Sequence, residues 1–160
     1  MSKLTLMAEQ LAAKLRARGE TIVVAETSTG GLISSALLAV PGASAYYKGG
    51  SVLYTYESRK LLLGISRADV EGLAPMSEAM VMAFARKAQA QVDATWAMAE
   101  LGSAGPTGVA YGEAGSSVIG IAGPRPTSAL LQTGSAEREA NMWLFAEHGL
   151  QLLDQALSQS

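Results

Sequence analysis

Leu4, Met7, Leu11 and Leu15 recur at helical spacing, with Glu9, Lys14, Arg16 and Arg18 between them. This predicts an amphipathic helix over residues 3–18, stopped by Gly19. Thr21–Ala25 is a short β-branched apolar run, the pattern of a buried central strand. Leu32, Ile33, Leu37 and Leu38 return to helical spacing and predict a helix over 29–39 that ends before Pro41-Gly42. Helix, strand and helix in that order predict an α/β fold.

Further along, residues 45–55 read as a strand or a bent pair, with Gly49-Gly50 marking a bulge or a close backbone approach. A short helix is expected over 57–63 before Gly64, and one more turn over 69–72. Pro75 interrupts the chain, and Ser77 is suited to cap a long helix, 78–92, whose apolar face is Val81, Phe84, Ala88 and Val92. Strands are expected at 95–101, 118–122 and 130–133, a glycine-rich loop at 107–115, and a closing helix over 135–157. Met76, Met80, Met82 and Met98 read as core filling. With no linker, repeat or low-complexity tract, residues 1–160 are expected to form a single domain.

Composition narrows the chemistry. Of 160 residues, 49% are apolar and 16% charged, enough for a substantial core. The net charge is −2 and no basic stripe is present, which argues against nucleic acid as a partner. Tyr46-Tyr47-Lys48 is therefore assigned to sheet or subunit packing. The chain has no cysteine, which excludes disulfides, a thiol nucleophile and thiolate metal sites. His148 is the sole histidine, so neither a Ser-His triad nor a His-rich metal site is expected. His148 itself is assigned to the surface or to the dipole at the end of its helix. No apolar run reaches the ~20 residues of a membrane span, and residues 3–18 are too charged for a signal peptide. The expectation is a cytoplasmic protein without membrane contact, metal or cofactor.

The segment Ala25-Glu26-Thr27-Ser28-Thr29-Gly30-Gly31 carries more hydroxyls and glycines than a connection needs. It joins the first strand to the second helix, whose first turn offers N–H groups and a positive dipole end to an anion or a nucleophile. Read locally, Ser28 or Thr29 caps the helix and the glycines allow close packing. Read chemically, the segment is a ligand-binding turn.

Four further motifs follow in order: Pro41-Gly42-Ala43-Ser44, Gly50-Ser51-Val52-Leu53-Tyr54, Leu63-Gly64 and Ala104-Gly105-Pro106. Together with residues 25–31 they cover nearly the whole chain and resemble the C-terminal domain of the competence/damage-inducible CinA proteins, whose stand-alone forms include nicotinamide-nucleotide amidases. The resemblance implies a three-layer α/β/α sandwich around a mixed β-sheet. It also implies a nucleotide ligand, a homodimer or higher homo-oligomer, and metal-free hydrolysis of the carboxamide of nicotinamide mononucleotide. A Ser attacks in such amidases, with a Lys as base and a Tyr nearby. Carried over by position, the catalytic places fall on Thr27, Tyr54 and Arg59. The ligand-binding places fall on Glu26, Ser28, Thr29, Gly30, Gly31, Gly102, Ala104, Gly105 and Pro106.

Four of the family's site positions are altered. In active members the strand-end motif runs Glu-Ser-Cys-Thr-Gly-Gly, with the Ser as nucleophile; Thr27 stands there, and Ser28 takes the Cys position. Thr can attack a carbonyl when a base activates it, though its methyl crowds the pocket. The Lys lies five residues after the Tyr and five before the Gly, a position held here by Arg59 between Tyr54 and Gly64. Lys60 points ~100° away on a helix. Arg keeps its proton near neutral pH and cannot be the base. Leu101 replaces a hydroxyl residue, with Glu100 one position earlier. Thr133-Gly134-Ser135-Ala136 lacks the Arg of the family's Ser-Gly-Asp-Arg; Arg138 lies two residues on, and nothing in the sequence requires it to reach back.

Local alternatives stand beside each site reading: Tyr54 as a strand aromatic, Arg59 as a solvated helix residue, Gly102–Pro106 as a turn. Altered site positions on an intact scaffold favour a relative with weak or no amidase activity and a nucleotide-binding or assembly role. The alternative is an active amidohydrolase with Thr27 as nucleophile, and Glu26 or Glu100 is a further candidate base.

Overall fold

In the computed structural model, which describes residues 1–107 and 112–159, five strands form one mixed sheet. In chain order the elements are α1 (Lys3–Arg18), β1 (Ile22–Glu26), α2 (Leu32–Leu38), β2 (Tyr47–Val52) and α3 (Tyr56–Ser58). They continue with α4 (Arg67–Val70), α5 (Glu78–Val92), β3 (Trp96–Ser103), β4 (Ser116–Ala122), β5 (Thr127–Gln132) and α6 (Arg138–Ser158). The sheet order is β2-β1-β3-β4-β5. β1 runs parallel to both its neighbours, whereas β3, β4 and β5 alternate in direction.

Side-chain alternation divides the core between the two faces of the sheet. Ile22 and Val24 of β1, Trp96 and Met98 of β3, and Ile119 and Ile121 of β4 join one cluster with the apolar faces of α1, α2 and α6. Val23, Ala25, Ala97, Ala99, Leu101 and Val118 join a second cluster with Val81, Phe84, Ala85 and Ala88 of α5. The result is an α/β/α sandwich with three helices on one side and one long helix on the other. Small side chains let α5 approach closely. A Cβ built on Gly120 would lie 2.9 Å from both Met82 Sδ and Val81 Cγ1.

Several element boundaries differ from the sequence expectations, each for a local reason. α2 begins at Leu32 rather than 29, because Gly30 and Gly31 take φ of 62° and 99° and keep the chain out of the helix. The helix expected over 57–63 is a single α turn followed by a π-type stretch, Arg59–Leu63. The turn expected over 69–72 lies at Arg67–Val70, where Ser66 and Asp69 form a capping box. β5 starts at Thr127 instead of 130, since its first residues are polar and show no apolar run. α6 begins at Arg138 rather than 135. The Thr133 and Ser135 hydroxyls accept from the N–H groups of Ser135 and Glu137, an alternative to helical bonding. Of the loop expected over 107–115, residues 108–111 lie outside the described residues.

Among the remaining expectations the two helix ends and the bulge agree with the structure, whereas Met76, Met80 and His148 depart from it. Ser77 caps α5 by accepting from Met80 N–H, and Gly19 closes α1 with a φ of 64°. The β1–β2 register shifts between Ile22 and Val23, so Lys48 is the extra residue beside Gly49. Tyr46 is fully buried and donates to the Leu37 carbonyl, which is packing within the chain. Met82 and Met98 are in the core, while Met76 and Met80 are only partly buried. His148 is partly buried, not on the open surface, and its Nδ1 is buried without a partner among the described residues.

The approach of α5 gives a test of the packing. Gly120→Ala is expected to destabilise the fold by about 1–3 kcal/mol through overpacking against Val81 and Met82, read as a lower midpoint in denaturant unfolding.

Candidate functional site

α2, which follows β1, lies on one face of the sheet, whereas α5, which leads into β3, lies on the other. The carboxyl ends of β1 and β3 therefore open onto a switch point in the strand order, where open α/β sheets form ligand crevices. Ala25 is in register with Ala99, so Glu26 and Glu100 follow side by side at this end. Both carboxylates are fully buried.

Glu26 satisfies the start of α2. Its Oε1 accepts from Ile33 N–H at 2.9 Å and from the Thr29 hydroxyl at 2.7 Å, and its Oε2 accepts from Ser34 N–H at 3.0 Å. Neither Ser28 nor Thr29 caps this helix, which corrects the local reading of the sequence. The strand-end carboxylate supplies the cap from below, because Gly31 at the N-cap has no side chain to do so.

Glu100 holds the turn that follows β1. Its Oε2 accepts from Thr27 N–H at 2.9 Å and Thr29 N–H at 3.1 Å, with Thr29 Oγ1 at 3.0 Å. Thr27 Oγ1 is 3.5 Å away, too long for a strong bond. The Ser28 hydroxyl donates to Oε1 in a very short contact. Burial pushes the Glu100 pKa up from its ordinary 4.5, and the bonds from Ser28, Thr27 and Thr29 act against that rise. Gly102 on the same strand keeps this contact open, since a Cβ there would overlap Ser28 Oγ and Glu100 Oε1.

In front of Ser28 lies a cavity of about 160 Å3. Its wall brings together Ser28, Tyr54, Arg59, Gly102, Ala104 and Gly105 of the positions carried over from the family. It does not include Glu26, Thr27, Thr29, Gly30, Gly31 or Pro106. Thr27, the position of the expected nucleophile, is 4% exposed. Gly30 and Gly31 shape the turn; a Cβ on Gly30 would come within 3.3 Å of Met142 Cε on α6.

Arg59 enters the cavity wall from the π-type stretch after α3. Its Nε donates to the Leu53 carbonyl at 3.2 Å, and its guanidinium lies 5.3 Å from the Tyr56 ring centre and 5.5 Å from that of Phe84. Arg138 arrives from the opposite side, at the start of α6. It donates to the Gly105 carbonyl at 2.7 Å and to the Tyr54 hydroxyl at 3.0 Å. The wall thus carries two guanidiniums and no carboxylate among its described residues, although the whole chain is net negative.

Arg138, which has no role on the sequence alone, is part of the cavity wall. The turn through Ser135 and Glu137 brings it back to the cavity. Asn141 was missed altogether. It is fully buried, and its amide donates to the Ala104 and Ser135 carbonyls, each at 2.9 Å, which docks α6 on the cavity wall. A polar residue on a buried stripe of an amphipathic helix was the available signal. Met76 and Met80 also line the cavity. Among the described residues no group of three or more acidic or histidine side chains is placed to hold a metal, and no helix is long and apolar enough to cross a membrane.

The arrangement defines an α/β domain with a hydroxyl-bearing turn clamped by strand-end carboxylates above a cationic cavity. The family model for the CinA C-terminal domain matches residues 4–157, and the chain belongs to that family. It is similar to a CinA-like protein of Anaeromyxobacter sp. (strain Fw109-5), 35% identical over 91% of this chain and 36% of the relative. A CinA-like protein of Prochlorococcus marinus (strain MIT 9313) is 41% identical over 69% of this chain and 26% of the relative. The chain thus spans only about a quarter to a third of the curated relatives it matches. The fold is shared with a solved CinA superfamily protein from Klebsiella pneumoniae 700603. That structure superposes with a TM-score of 0.89 at 23% identity, covering 99% of this chain and all of the other.

The buried Glu100 predicts a pH signature. Its folded pKa is raised, so the stability it contributes is complete below about 4.5 and is lost as pH rises through the folded value. Glu100→Gln, which stays neutral, is therefore expected to gain stability relative to the parent with rising pH. The check is paired denaturant unfolding from about pH 4 to about pH 8; a constant difference between the two proteins counts against the raised pKa.

Proposed function

We propose that this domain binds an anionic nucleotide of the nicotinamide mononucleotide kind in the cavity at the ends of β1 and β3, and does not turn it over by Ser-Lys amidase chemistry. The observation that carries this reading is Arg59. Where the family's base would stand, a guanidinium is held by the Leu53 carbonyl and flanked by Tyr56 and Phe84. It keeps its proton at any physiological pH, so it attracts anions and cannot accept a hydroxyl proton. Thr27, the counterpart of the family's nucleophile, is off the cavity wall, which also speaks against the alternative in which Thr27 attacks.

Arg59 and Arg138 face the same cavity from two elements, the geometry that suits a phosphate between guanidiniums. Tyr54 accepts from Arg138, and its own hydroxyl proton is a donor at the wall. A homodimer or higher homo-oligomer is the working form that the resemblance to the family implies.

Nicotinamide mononucleotide is expected to bind in calorimetry and to release no ammonia on incubation. Arg138→Ala should weaken that binding by about ten- to a hundredfold. The double variant Thr27→Ser, Arg59→Lys is expected to release no ammonia either, because residue 27 is off the cavity wall. Ammonia from the unaltered chain, or the absence of any binding, would sink this reading.

A further inference from the structure

Ser28 is the single hydroxyl of the 27–29 turn on the cavity wall, and it is also the one bonded to Glu100 Oε1. The other carboxylate oxygen is occupied by the N–H groups of Thr27 and Thr29. Oε1 is thereby aimed at Ser28, and the carboxylate cannot turn away without stranding two buried donors. Glu100 itself is shut off from the cavity behind Ser28 and Gly102. We propose that Ser28 and Glu100 form a nucleophile and general-base pair, and that the cavity accepts an acyl group carried on an anionic leaving group, such as an acyl phosphate.

The step follows from the positions of the groups. Ser28 Oγ bonds to the acyl carbon as its proton passes to Glu100 Oε1. The bond from acyl carbon to phosphate oxygen breaks, and the phosphate leaves with the electron pair, facing Arg59 and Arg138. Water then adds to the acyl carbon as the bond to Ser28 Oγ breaks: its hydroxyl leaves in the carboxylic acid, its other proton passes to solvent, and Glu100 returns its proton to the Ser28 oxygen. An amide is a poor substrate for this pair, because a leaving amine needs a proton and Glu100 does not reach the cavity to give one. A phosphate that already carries one proton leaves as the hydrogen phosphate dianion and needs none from Glu100. Burial makes Glu100 a stronger base than an exposed carboxylate, the direction that general-base catalysis requires.

The inference rests on the reading of the cavity as an anion site, and its test separates the two. The protein is treated with a fluorophosphonate, which esterifies an activated serine and loses fluoride, and the adduct is mapped by peptide mass spectrometry. The adduct is expected on Ser28. Ser28→Ala should abolish it. Glu100→Gln should slow it by about a hundredfold. Gln can keep the Thr27 and Thr29 N–H groups on its carbonyl oxygen while turning its amide toward Ser28, which removes only the base. Release of phosphate from acetyl phosphate should follow the same pattern in the three proteins. Mapping the parent needs no variant, so a variant that fails to fold leaves the test intact.

An adduct on Thr27, or one on Ser28 that forms as fast in Glu100→Gln, overturns the pair. Calorimetry with nicotinamide mononucleotide is run on the same preparation. Binding without an adduct overturns the pair and leaves the anion site standing. Neither binding nor adduct overturns both.

Discussion

A buried carboxylate at the end of a central strand holds this site together. Glu100 has lost its contact with water and recovers it as bonds from two backbone N–H groups and the Ser28 hydroxyl, with Thr29 alongside. Removing that acceptor would leave the Thr27 and Thr29 N–H groups buried and unpaired, at roughly 1–3 kcal/mol each. The turn after β1 is therefore fixed by a side chain from β3, a neighbouring strand far away in sequence. Gly102 follows from the same constraint, since no side chain fits between Ser28 and Glu100. Thr29 completes the arrangement. Its hydroxyl lies within hydrogen-bond distance of both Glu26 and Glu100, and Glu26 in turn holds the first N–H groups of α2. Strand ends, turn and helix start are one hydrogen-bonded unit.

The fold of the CinA C-terminal domain rests mainly on contacts other than those that line the cavity. The scaffold depends on alternating apolar strands and on helices packed against both faces of the sheet, and none of these uses Thr27 or Arg59. Exchanging Lys for Arg at residue 59 changes what the position can do with a proton but preserves its positive charge. The planar guanidinium also gains contacts that an ammonium makes less well, with the faces of Tyr56 and Phe84. A shared fold therefore does not by itself carry a mechanism, and function has to be argued from the site.

The architecture was legible in the sequence because it rests on periodicity. α1, β1, α5 and β3 follow their apolar patterns to within a residue or two. The motifs also located one end of the sheet, and Ser28, Tyr54, Arg59 and Gly102 do share a cavity there. What could not be read depends on contacts between distant residues. Glu26 as the cap of α2 requires knowing that the strand end lies beneath the helix start. Glu100 as the acceptor for the turn requires the parallel register of β1 and β3. Arg138 reaches Tyr54 across 84 positions of sequence, through a turn whose hydroxyl bonds delay the helix. β5 escaped its true start because Thr127 and Ser128 show no apolar signal, although both pair with β4.

The cavity is also coupled to the core through α6. The same helix that buries Phe145, Leu150 and Leu153 against the sheet carries Arg138 and Asn141 at its first turns. Asn141 ties it to the Ala104 carbonyl and Arg138 ties it to the Gly105 carbonyl and Tyr54. One wall of the cavity therefore exists only when α6 is docked. An anion held between Arg138 and Arg59 would link the start of α6 to the segment after β2 and add its binding free energy to that docking. Helix ends are where local opening begins, and the exposed first turn of α6 is such an end. An anion bound there would thus couple occupancy of the cavity to order at this end of the sheet through Arg138, which belongs to both.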